Sequence, residues 1–145
     1  MSELATRSKQ TGVMLLEALV ALLIFSIGIL AVVGLQGMAV ENVSEAKYRT
    51  DASFLASQII GQMWVNRTNL ANYKYSGGPA PKELANWLDQ VNATLPGAIT
   101  NPPSIDISAS NIVTVTMFWQ RPADANGSLP PPPHQYLVTA SINWE

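Results

Sequence analysis

The chain has no cysteine and a single histidine, and only 12% of its 145 residues are charged. Without cysteine there is no disulfide framework and no thiolate chemistry, and an exported protein can do without both. The lone His134 sits beside the proline run Pro130–Pro133. That setting offers a metal or an acid–base reaction too few partners. No Ser/His/Asp arrangement, paired-carboxylate signature or phosphate-binding glycine loop is present, so neither an enzyme nor a cofactor is expected. With a net charge of -2 and no basic run, the composition argues against nucleic acid and acidic lipid as partners. The triplets beginning at Asn42, Asn66, Asn92 and Asn126 match a glycosylation pattern, but such matches arise by chance in a chain rich in Asn, Ser and Thr.

Charge is missing most conspicuously near the N-terminus. From Ala18 to Leu35 there is none, and only Ser26 is clearly polar. About 20 apolar residues suffice to cross a bilayer, and residues 13–35 read as a helix of that kind. Arg7 and Lys9 precede the run and no lysine or arginine follows until Lys47. The positive-inside rule then keeps the N-terminus cytoplasmic and exports the remainder. At the start of this run stands Glu17. A carboxylate inside a bilayer costs about 2.5–3.5 kcal/mol on insertion scales, so a plain anchor has no use for it. The plainer alternative puts Glu17 at headgroup level, stabilised by the positive end of the helix dipole.

The helical pattern continues past the apolar run. No proline occurs from Ala39 to Asn69, and Tyr48, Ala52, Leu55, Ile59 and Met63 form a stripe at helical spacing. Glu45 and Arg49 are placed for a favourable i,i+4 pair. A single helix from Val13 to Asn69 would run roughly 85 Å at 1.5 Å per residue, too long to bury in a chain this size. The stretch NYKYSGGPAP, from Asn72 to Pro81, reads as a loop, and Lys82–Ala93 as a short amphipathic helix with Leu84, Trp87, Leu88 and Val91 on one face. Leu95-Pro96-Gly97 ends it.

Farther on the period changes to two. Ile105 and Ile107 start a short strand, Val113, Val115, Met117 and Trp119 mark a second, and Tyr136, Val138, Ala140, Ile142 and Trp144 a third. The expected fold class is α+β: a long N-terminal helix, its first half embedded in membrane or filament, packed against a small antiparallel sheet. The loops 72–81 and 121–134 are the expected exposed contact regions.

Gly12, a hydrophobic residue after it, a glutamate at the fifth position beyond, and then an apolar helix resemble a type IV prepilin. The stretches LVALLIFSIGILAVVGLQ and ASFLASQIIGQMWVN are similar to the PilV family of minor pilins, the pilus modification proteins, over residues 12–66. The resemblance implies a pilin-like fold and a leader over residues 1–12, cleaved between Gly12 and Val13 by a prepilin peptidase. It implies N-methylation of Val13 and a subunit-pairing role for Glu17. Residues 13–36 would be the transmembrane and assembly half of the helix, and 37–145 a periplasmic domain including the helix's second half. Implied partners are other minor pilins, the major pilin and the inner-membrane assembly platform, and the implied place is the inner membrane and then the pilus.

Val13 and Met14 depart from the usual phenylalanine and threonine of the leader junction. Gly34 stands where major pilins commonly carry proline, and the usual C-terminal disulfide loop cannot form; both departures favour a minor component. A minor pseudopilin of a type II secretion system shares the leader, the glutamate and the helix. An exported binding domain with an ordinary signal peptide is a third reading, with Gly37 and Ala39 preceding a cut after Ala39. Gly28, Gly34 and Gly37 would let neighbouring helices approach closely, or simply reflect the abundance of glycine in membrane helices.

Overall fold

A computed structural model describes residues 7–122 and 129–143. One helix, α1, runs from Arg7 to Val65, and a 3-10 helix follows over Arg67–Tyr73. A second helix, α2, spans Ala85–Thr94, and three strands close the chain: β1 (Ser104–Ile107), β2 (Ile112–Trp119) and β3 (His134–Ser141). The fold is α+β, with the second half of α1 packed against a three-stranded antiparallel sheet in the order β1-β2-β3. The chain divides into two compact units between Ser44 and Glu45.

In the first unit α1 begins at Arg7, before the expected start at Val13. From Gly12 to Val43 every residue is exposed, including the apolar ones. Among the described residues this is one helix near the N-terminus long and apolar enough to cross a membrane. Its one clearly polar residue between Ala18 and Leu35 is internally satisfied: the Ser26 hydroxyl donates to the Leu22 carbonyl at 2.7 Å. That back-bond hides the hydroxyl against its own helix, which makes serine tolerable in an apolar run.

In the second unit the helix buries the stripe expected from its spacing. Ala52, Leu55, Ile59 and Met63 are buried, Ala56 joins them, and Tyr48 packs on their edge. The helix stops at Val65, four residues before the expected Asn69, because asparagines interrupt it. Asn66 (φ -106°, ψ 36°) and Asn69 (φ -115°, ψ 31°) leave helical geometry. The Asn69 amide donates to the Asn66 side-chain oxygen at 3.0 Å, and the Asn66 amide to the Tyr73 hydroxyl at 3.3 Å. Short amide side chains offer such local alternatives, which is why they favour helix ends.

Helix α2 presents Trp87, Leu88 and Val91 to the same core, with Leu84 buried just before it. Trp87 is the largest fully buried side chain, and its indole N–H donates to the Leu55 carbonyl at 2.9 Å. Gly97 turns the chain after α2 at φ +74°. A Cβ there would lie 3.0 Å from the Gln120 Cβ, so glycine is required twice over.

Strand β2 is central and alternates cleanly: Val113, Val115, Met117 and Trp119 are buried. Asn111 takes φ 55° in the turn from β1 to β2, a conformation asparagine tolerates better than most residues. Strand β3 alternates too, but Tyr136, Val138 and Ala140 are only half-buried, and full burial returns at Ile142. Trp144, expected to continue the pattern, lies outside the described residues.

Candidate functional site

Two places carry chemistry beyond packing. The first is the start of the apolar helix. Gly12, Val13 and Glu17 all lie within α1, and all are exposed. Val13 and Glu17 are four residues apart on a helix, so their side chains share a face. Among the described residues Glu17 has no ion-pair partner. Further along, Gly28 leaves a shallow open notch between Phe25, Ile29, Val32 and Gln36. A Cβ added at Gly28, Gly34 or Gly37 meets nothing within 4 Å, so the chain's own packing does not demand glycine at any of them.

The second place is a polar cluster around Glu45, which the sequence pattern did not reveal. The Trp119 indole N–H donates to Glu45 Oε2 at 3.0 Å. Arg121 Nε stands 3.2 Å from Glu45 Oε1, an ion pair whose angle is not that of a hydrogen bond. His134 Nε2 is 3.6 Å from the same oxygen, and this contact is an ion pair when the imidazole is protonated. The imidazole stacks on the Trp119 ring, with centroids 5.7 Å apart and planes 12° from parallel. Glu45 therefore joins α1 to the end of β2, to Arg121 two residues beyond it, and to the start of β3. The expected Glu45–Arg49 pair gives way to these contacts, and the i,i+4 pair that forms nearby is Lys47–Asp51 at 3.8 Å. A half-buried carboxylate gains more from an indole N–H and a guanidinium it need not share with water than from an exposed neighbour on its own helix.

The Glu45 cluster is built for holding. Oε2 of its carboxylate accepts from the Trp119 indole, Oε1 faces Arg121 and His134, and the imidazole lies flat on the Trp119 ring. A cleft beside α2, lined by Tyr75, Ala85, Leu88, Asp89, Asn92 and Ile99, is shallow, and the Tyr75 hydroxyl there donates to the Gly78 carbonyl at 3.3 Å. Among the described residues no three acidic, histidine or cysteine side chains gather as a metal site would require.

No family model, no curated protein and no solved structure matches this chain.

Proposed function

We propose that the chain is a minor pilin of the PilV kind, which helps initiate a type IV pilus and is incorporated into it. The observation that carries this reading is the exposed, apolar stretch of α1 after Gly12, interrupted only by Glu17 one turn beyond Val13. In hydrocarbon a lone carboxylate and a lone ammonium are each expensive. Cleavage after Gly12 creates an ammonium on Val13, and pairing it with Glu17 of a neighbouring subunit lowers both penalties. The pairing sets the axial step between subunits, while the apolar side chains supply non-directional packing. Gly12 suits the cut, because glycine inside a helix costs about 1 kcal/mol relative to alanine and eases opening of the backbone for a peptidase.

In this reading the chain catalyses nothing and is itself a substrate of the prepilin peptidase. It sits in the bacterial inner membrane with a cytoplasmic N-terminus and a periplasmic domain, then enters the pilus beside other minor pilins and the major pilin. The assembly platform in the membrane receives it, and twitching motility and adhesion follow from the fibre.

N-terminal sequencing and intact mass of the protein from native membranes test this directly. The expected chain starts at Val13 and carries one added methyl group. A chain starting at Val40 overturns the reading, and so does an intact leader in cells with active peptidase. Replacing Glu17 by alanine is expected to leave cleavage intact and to deplete the protein from sheared surface fibres. Loss of fibres in cells lacking the chain, with secretion unchanged, separates a pilus from a type II secretion system.

A further inference from the structure

The proline run before β3 has its conformation dictated by its own sequence. Leu129, Pro130, Pro131 and Pro132 each precede a proline, which disfavours helix and pushes the backbone toward extended geometry. Each proline ring also fixes its own φ at about -65°. No peptide bond among the described residues is cis, and residues 129–133 belong to no helix or strand. Leu129 to Pro133 is therefore a length of polyproline II helix, with about three residues per turn.

That repeat makes three ridges. Leu129 and Pro132 share one, Pro130 and Pro133 share a second, and Pro131 stands on the third. Leu129, Pro130, Pro132 and Pro133 are exposed, Leu129 at 92%, whereas Pro131 is half-buried. The Pro131 ridge is anchored: Gln120 Nε2 donates to the Pro131 carbonyl at 2.8 Å. Gln120 is itself held twice. Its backbone N–H donates to the Pro96 carbonyl at 2.8 Å, and its side-chain oxygen accepts from the Asn101 amide at 2.9 Å. Just beyond the run, His134 stacks on Trp119 and faces Glu45. The run is thus fastened along one ridge and at its C-terminal end, and it displays the other two ridges.

The chemistry of those ridges defines what fits them. Residues 129–133 carry no charge, so neither a nucleic acid nor a charged membrane surface finds a group to pair with. The prolines have no N–H to add to a sheet, and their only polar groups are carbonyl oxygens. The complement is a groove with flat apolar walls and hydrogen-bond donors at their rims, which tryptophan and tyrosine each supply in one side chain. A run already fixed in its bound form also avoids most of the ordering cost that a flexible segment carries on binding. We propose that the two exposed ridges of Leu129–Pro133 are a docking element for a partner protein that receives them in a groove lined by tryptophan and tyrosine. The proposal goes beyond the pilin reading and does not depend on it.

The full chain in detergent micelles is titrated with three labelled modules that have aromatic-lined grooves, an SH3, a WW and an EVH1 domain, and binding is read by fluorescence anisotropy. At least one module is expected to bind saturably. Leu129→Ala, and the double variant Pro130→Ala with Pro133→Ala, are each expected to weaken that binding about tenfold, the loss of one apolar contact. Pro131→Ala keeps the carbonyl that Gln120 holds and is expected to change binding by less than about threefold. Circular dichroism is expected to be unchanged in every variant, and Leu129 is too exposed for its truncation to disturb packing. Failure of all three modules to bind overturns the proposal, and so does binding indifferent to Leu129→Ala. Equal losses from Pro131→Ala and Leu129→Ala would show that the run is not held on one ridge, which overturns it as well. A dimer of the chain, seen by light scattering and abolished by Leu129→Ala, would put a second copy on the run in place of a separate partner.

Discussion

At the scale of single residues, a few polar side chains of the second unit hold two elements together. Glu45 serves Trp119, Arg121 and His134 at once. Removing it leaves the Trp119 indole N–H without its acceptor and takes the carboxylate away from Arg121, a loss of about 1–3 kcal/mol. Glu45→Ala is expected to lower the urea midpoint and shift the emission of Trp119 to the red. Glu45→Gln retains an acceptor for the indole and is expected to lose less, which separates the hydrogen bond from the charge. Trp87 offers a simpler case, since Trp87→Phe keeps most of the packing but strands no backbone group; the Leu55 carbonyl still has its helical partner. A loss of about 1–2 kcal/mol is expected from the missing hydrogen bond and the volume of the second ring.

At the scale of elements, glycine plays a different part in each unit. Gly97 combines a left-handed backbone with a Cβ position occupied by Gln120. Gly97→Ala is therefore expected to destabilise by more than about 1 kcal/mol, seen as a lower thermal midpoint. Gly28→Ala meets open space and is expected to leave that midpoint unchanged. In the pilin reading proposed above, an effect of Gly28→Ala on fibre incorporation alone would assign this glycine to contact between subunits. The elements themselves were largely legible. The stripe from Tyr48 to Met63, the face of α2 and the alternation in β2 all lie where periodicity places them, because burial on one side of an element imprints its period on the local sequence. The helix end was not legible. No proline marks it, and the backbone there turns on side-chain bonds among Asn66, Asn69 and Tyr73 that spacing alone does not encode.

At the scale of the whole molecule, the buried apolar residues among those described lie between Ala52 and Ile142, while the apolar residues from Val13 to Val43 are exposed. The buried core residues described thus belong to the second unit. A chain comprising residues 37–145 is expected to unfold cooperatively, with the same denaturation midpoint as the full chain in the same detergent buffer. A lower midpoint would show that residues before 37 contribute to the fold. The separation suits a chain with one helix long and apolar enough to cross a membrane, because such a helix in hydrocarbon needs only its own backbone bonds, whereas the sheet needs its covering helix.

The sequence by itself determined the helix, the strands, the residues that turn inward and the uncharged run with Glu17 at its head. These are local patterns, and the period of hydrophobicity is enough to read them. Only the tertiary structure decided that Glu45 belongs to Trp119, Arg121 and His134, the most distant of them 89 positions along the chain (134 − 45). It also decided that β2 is the central strand and β3 the edge, although the two alternate equally well. Strand order and distant ion pairs depend on which surfaces meet once the chain has closed on itself, and nothing in a window of neighbouring residues carries that information.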